Sequence, residues 1–366
     1  MSTTNPIAEL KRLGQSVWLD QIDREMIQSG RLARYRDAGV SGVTANPTIF
    51  ARALESSDAY AEHVIRRLDR GQDPESIVWD LLIEDVQAAA DVMRPVFDRE
   101  HGGDGFVSIE VSPEIAGDTE RTIAAARDLQ RRTARPNVMV KIPATPAGLP
   151  AIQARIAEGA NINVTLIFAV ERYVKVVEAY LAGLEQLRES GGDPRRVHSV
   201  ASFFVSRIDT KVDALLERKP QLKHLLGRAG IANSKLAYEM FTQLHSGARW
   251  DRLRAEGASV QRCLWASTST KNPRYRDVMY VEELIGPATV DTMPPATFEA
   301  FSDHGRVQLT LQKDVEGARR VLDELAISGV DLAAVTQELE DEGVAAFAKS
   351  FRESIQNLPK VKVSGR

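Results

Sequence analysis

Two hydrophobic periods take turns along this chain. In 106–111, 138–142 and 162–168 every second residue is apolar, and in 118–133, 169–189 and 331–358 apolar residues recur three and four apart. Alternation is the mark of a strand with two different faces, and the three-to-four spacing that of a helix with one buried stripe. The alternating or short apolar runs predict eight strands, at 16–20, 42–46, 105–111, 138–142, 162–168, 199–205, 260–266 and 288–291. Helices are expected between them: from Pro6, capped by Thr4 or Asn5, to about 13; then 21–38, closed by Gly39; 48–69; 74–98; 118–133; 148–158; 169–189; a long helical stretch from 209; and 278–284. Further helical patterns at 315–325 and 331–358 follow the last strand, and the tail 359–366 is expected to be loose.

Strand–helix alternation over this length implies parallel strands joined by right-handed crossovers. Eight such units predict an α/β fold, a (β/α)8 TIM-type barrel with additional N- and C-terminal helices. The 366 residues contain no linker or low-complexity segment. One domain is therefore expected over 1–366, with a barrel core at about 15–292 and C-terminal helices at about 294–358.

Strand parity then indicates which polar side chains enter the barrel. Between Phe106 and Val111, the branched residues Val107, Ile109 and Val111 should face the helices, which turns Glu110 inward. By the same rule Lys141 opposes Val140 and Ile142, and Asn161, Asn163 and Thr165 share an inward face. Asp20 pairs with Trp18, Thr44 with Asn46, and Ser202 with Phe204. Barrel interiors are filled by apolar layers, and buried polar groups are costly unless they have partners or a use. These residues lie toward the C-terminal strand ends, where barrel active sites form.

Composition narrows the chemistry. Net charge is −4, so there is no general attraction to nucleic acid or anionic membrane. An anionic substrate must be met by a local basic cluster. The single cysteine rules out an internal disulfide, and six scattered histidines give no metal-ligand spacing. The first fifteen residues lack the apolar core of a signal peptide, and no apolar run reaches membrane-spanning length. A cytoplasmic enzyme without metal or cofactor is the expectation.

An amine removed from water favours its neutral form, which is the form that attacks carbonyls. Asp20 and Glu110, on different strands, can divide proton transfers between them. Asn46 and Asn163 offer amides for hydroxyls. Arg207 after the sixth strand, with Ser267, Ser269 and Lys271 after the seventh, supplies cations and hydroxyls for a phosphate. Each has a plainer alternative: Lys141 and Glu110 as a structural ion pair, Asn46 before Pro47 as a turn former, Arg207 paired to Asp209, and Lys271 as a solvated loop charge. Their convergence at one barrel end favours a site.

Five runs carry a resemblance: Gly42-Val43-Thr44-Ala45-Asn46-Pro47-Thr48, Val107-Ser108-Ile109-Glu110-Val111, Val140-Lys141-Ile142-Pro143, Asn161-Ile162-Asn163-Val164-Thr165-Leu166 and Leu264-Trp265-Ala266-Ser267-Thr268. In order and spacing they resemble the transaldolases, in a longer bacterial form. The resemblance implies a Schiff-base lysine at Lys141 and an acid/base carboxylate at Asp20. It also implies a water held by Glu110 and Thr165. Hydroxyl contacts would come from Thr44, Asn46, Asn163 and Ser202 beside Phe204, and phosphate contacts from Arg207 and Ser267. Many family members carry arginine where Ser269 stands, and Lys271 is expected to supply that cation. The C-terminal helix is expected to bring Phe347 or Phe351 over the site. The implied ligands are sugar phosphates, and the expected state is a monomer or homodimer. A related aldolase, expected to carry glutamine at position 110, and a non-catalytic sugar-phosphate sensor are the rivals.

Overall fold

A computed structural model describes residues 5–217 and 219–358. Eight strands are present among them: β1 (Gln15–Leu19), β2 (Gly42–Val43), β3 (Val107–Glu110), β4 (Val138–Pro143), β5 (Ile162–Ile167), β6 (Ser199–Phe204), β7 (Arg262–Ala266) and β8 (Thr289–Met293). They pair in chain order, all parallel, and β8 returns to β1, closing the expected barrel. Helices fill the connections between most strands.

Parity sorts the interior much as the alternation implied. Val107, Ile109, Val140, Ile142, Ile162, Val164, Phe203 and Trp265 belong to the shell between strands and helices. Trp18, Phe106, Met139, Val200, Leu264 and Val290 fill the barrel itself. Gly42 makes room for that filling: a Cβ there would sit 2.5 Å from the Trp18 ring. Below the apolar layer, Asp104 closes the N-terminal end. It accepts from Trp18 Nε1 at 2.8 Å and Ser41 Oγ at 2.8 Å, and also from Ser16. Polar residues at the other end therefore face a blind-ended cup.

Some expectations change. Residues 21–38 are not one helix: Arg24–Gln28 and Arg31–Asp37 are separated at Gly30, whose φ of 72° is left-handed. Residues 48–69 divide into Pro47–Ser56 and Ala61–Asp69 around a short 3-10 turn. Alternation also fails at the end of β5. The register shifts between Val164 and Ile167, and Leu166 takes φ 58°, so it joins Thr165 on the inner side. Asn161 does not reach the site. It precedes β5 at the closed end, bonding Pro136 O and accepting from His198 N. Asn5 caps the first helix; Thr4 and the tail 359–366 lie outside the described residues.

The helix Leu332–Asn357 packs back across the open end. Thr48 and Ser350 hydroxyls meet at 2.9 Å, Lys211 pairs with Glu342 at 2.6 Å, and Arg172 with Glu340 at 3.2 Å. Gly343 passes directly over Leu166, where a Cβ would come within 2.9 Å of Cδ2. No helix among the described residues is long and apolar enough to cross a membrane.

Candidate active site

A cavity of about 550 Å³ opens at the C-terminal strand ends. Asp20, Thr44, Asn46, Lys141, Ser202, Phe204, Arg207, Ser267, Ser269 and Lys271 all line it, as does Phe347 from the C-terminal helix. Glu110, Asn163 and Thr165 are buried beside or beneath it. Parity and the strand-end argument thus bring the predicted set together, with Asn161 as the exception. Phe351 sits elsewhere, against a void of about 20 Å³ shared with Glu110, Ala45 and Trp79.

Lys141 rises from β4 with 4% of its surface exposed. Its Nζ lies 3.5 Å from Glu110 Oε2 and donates to Ala45 O at 3.4 Å. The pair follows from register, since Glu110 on β3 is the direct partner of Lys141 on β4. Burial pushes the Glu110 carboxyl up to about 7, although the Lys141 charge opposes the shift. Neither Glu110 oxygen has a good hydrogen bond among the described residues, nor has Thr165 Oγ1.

Asp20 follows β1, and its backbone N–H is held by Met293 O at 2.8 Å. Thr44 Oγ1 donates to Asp20 Oδ1 at 2.9 Å. Burial raises this carboxyl too; the Lys141 charge and the Thr44 hydrogen bond pull it back. Asn46 has a double position: its side chain caps Pro47–Ser56 by accepting from Ile49 N at 3.0 Å, and it also lines the cavity. Asn163 is engaged at both ends, donating to Ser108 Oγ at 3.0 Å and accepting from Ser202 Oγ at 2.7 Å. It therefore orients Ser202, which faces the cavity.

The cationic pole gathers on the far side. The Arg207 guanidinium stacks over the Phe204 ring at 5.2 Å, and burial lowers its pKa against the attraction of Asp20 and Glu342. Asp209 is turned away from it, accepting from Gly230 N at 2.7 Å. Lys271 Nζ donates to Ser269 Oγ at 2.8 Å, so the loop after β7 folds its cation onto its own hydroxyl. Ser267 adopts φ 57° and its carbonyl accepts from Ser206 N at 3.2 Å. A left-handed serine costs roughly 1–2 kcal/mol and marks a loop conformation enforced by its surroundings. Together these groups bring two cations and several hydroxyls to the cavity lining.

Sequence reasoning missed Thr292 and Ser206. Thr292 lines the cavity from β8, one residue beyond the predicted strand end, and Ser206 bonds Ser267 hydroxyl to hydroxyl at 2.9 Å. A strand prediction extended by one residue would have found the first. Nothing in the local pattern distinguishes the second.

A sequence model described as Transaldolase/Fructose-6-phosphate aldolase matches residues 17–358. The chain belongs to that family. It is 48% identical to a transaldolase of Parafrankia sp. (strain EAN1pec), with 97% of each chain covered. It is 47% identical to transaldolases of Mycolicibacterium paratuberculosis and Thermobifida fusca, covering 98% and 97% of each chain. At this similarity over nearly the whole length it is an enzyme of the transaldolase kind, a transferase. Against these relatives the rival of a non-catalytic sensor is set aside.

Proposed function

We propose that this chain moves a dihydroxyacetone unit from sedoheptulose 7-phosphate to glyceraldehyde 3-phosphate, giving erythrose 4-phosphate and fructose 6-phosphate. It does so in the cytoplasm, within the non-oxidative pentose phosphate branch, as one domain. The single observation that carries this reading is the buried Lys141 between Glu110 and the Asp20–Thr44 pair at the base of one polar cavity.

Lys141 Nζ adds to the ketone C2 of the donor. Loss of water from the carbinolamine gives an iminium. Glu110, poised near neutrality by burial, and Thr165 hold the water that carries protons into and out of this step. Asp20 takes the proton of the C4 hydroxyl. The C3–C4 bond breaks, its electron pair enters the iminium to form an enamine, and the aldose phosphate departs. The enamine carbon then attacks the carbonyl of a second aldose phosphate, whose oxygen regains the proton from Asp20. Water hydrolyses the new iminium and frees Lys141. The iminium accepts the electrons itself, and the protein's part is placement and proton transfer.

Ser202, oriented by Asn163, and Asn46 suit the hydroxyls of the three-carbon unit, while Arg207, Ser267, Ser269 and Lys271 suit the phosphate. Glu110 favours transfer over simple aldol cleavage, since the related aldolases are expected to carry glutamine there.

The test is release of glyceraldehyde 3-phosphate from fructose 6-phosphate, with and without erythrose 4-phosphate. Release that requires the acceptor and disappears in Lys141→Ala supports the proposal. Sustained release without acceptor would make the chain an aldolase.

A further inference from the structure

Thr292 is the one residue of β8 whose hydroxyl reaches the catalytic carboxylate's hydrogen-bond network. Its Oγ1 lies 2.7 Å from Thr44 Oγ1, which in turn lies 2.9 Å from Asp20 Oδ1. Each hydroxyl has one proton. An ionised Asp20 can only accept, so the Thr44 proton goes to it. The short contact between the two threonines must then be filled by the Thr292 proton. The chain runs in one direction, from Thr292 to Thr44 to Asp20. Protonation of Asp20 reverses that demand, because Thr44 would then be free to donate to Thr292.

The donor end of this chain is fixed in place. Trp18 and Thr292 are register partners on β1 and β8, and Met293 O holds the Asp20 backbone N–H at 2.8 Å. The Thr292 carbonyl accepts from Thr268 Oγ1 at 3.2 Å, and the same hydroxyl reaches Asp291 Oδ1 at 2.9 Å. Thr268 belongs to the loop that carries Ser267, Ser269 and Lys271. The position of Thr292 is thereby tied to the predicted phosphate loop on one side and to Asp20 on the other.

We propose that Thr292 is a positioning residue that acts through Thr44 to hold Asp20 in its ionised, proton-accepting form. The inference rests on the assignment of Asp20 as the base. Charges also bear on Asp20: Lys141 from β4, Arg207 after β6 and Lys271 after β7 favour ionisation, and Glu110 on β3 opposes it. Those charges act from a distance in every side-chain orientation. The hydroxyl chain adds a directed donor, and hydrogen bonds in series strengthen one another.

The experiment is the pH dependence of kcat for transfer from fructose 6-phosphate to erythrose 4-phosphate in wild type, Thr292→Val, Thr292→Ser and Asp20→Asn. Valine keeps the shape and removes the donor, and serine restores the donor. The proposal expects the acidic limb of Thr292→Val to move up by about half a pH unit, which lowers kcat on that limb about threefold with KM unchanged, and expects Thr292→Ser to follow wild type. An unmoved limb in Thr292→Val, or an equal shift in Thr292→Ser, overturns the relay while Asp20→Asn still abolishes the limb. A wild-type limb retained in Asp20→Asn removes the assignment of Asp20 itself, and the proposal with it.

Discussion

Lys141 Nζ and Glu110 Oε2 are 3.5 Å apart, on directly paired residues of adjacent strands. A purely structural buried ion pair needs closer contact and further hydrogen bonds to offset desolvation. Here both Glu110 oxygens lack a good partner among the described residues, and the carboxyl is pushed up to about 7 by burial. The arrangement is poorly optimised as a brace and well suited to exchanging a proton near neutral pH.

Glu110→Gln keeps the shape and removes that exchange. Its kcat should fall by about 10²- to 10⁴-fold, the usual range for a positioned acid or base. KM should change little, and what kcat remains should lose its dependence on pH around neutrality. Steady-state kinetics across that range check this.

The proposed function has Arg207 and Lys271 bind the phosphate. Charge-assisted hydrogen bonds contribute roughly 1.5–3 kcal/mol each, so Arg207→Ala or Lys271→Ala should raise KM for phosphorylated donors by about ten- to a hundredfold. Transfer from unphosphorylated fructose to unphosphorylated glyceraldehyde should be nearly unaffected. Lys271→Arg should restore phosphate binding. A parallel loss with both donor types would show that these cations serve the fold.

Much of this site follows from the alternation of side chains. Asp20, Glu110, Lys141 and Ser202 stand where period-two parity puts them, because both faces of a barrel strand are buried and a one-residue slip would exchange them. Parity says which face a residue takes, but not which end of the barrel it occupies, and Asn161 went to the closed end for that reason. It also cannot foresee a bulge, which turns Leu166 to the inner side beside Thr165. The pattern at 21–38 stays helical in its apolar spacing on both sides of Gly30, which hides the left-handed break. Thr292 escaped because its role depends on hydroxyl-to-hydroxyl geometry between β8 and the residue just after β2, a relationship spanning 248 residues.

Asp291 gives a pH signature in stability. It is fully buried, accepts from Thr268, and is pushed up to about 7 by burial from a usual value of 3.8. Between those values the folded state holds a proton that the unfolded chain has released. Stability from this group is therefore present at low pH and falls as pH rises through that window, by up to ~4 kcal/mol. Asp291→Asn should flatten the decline. Urea midpoints below and above the window, with the slope m compared, check it.

The proposed transfer turns on a covalent bond between Lys141 and the substrate. Borohydride reduction in the presence of fructose 6-phosphate, followed by peptide mass analysis, tests it most directly. The prediction is irreversible inactivation, with a reduced three-carbon adduct on the peptide containing Lys141 and none in Lys141→Ala. An adduct on another lysine, or full activity surviving reduction with substrate, would contradict it.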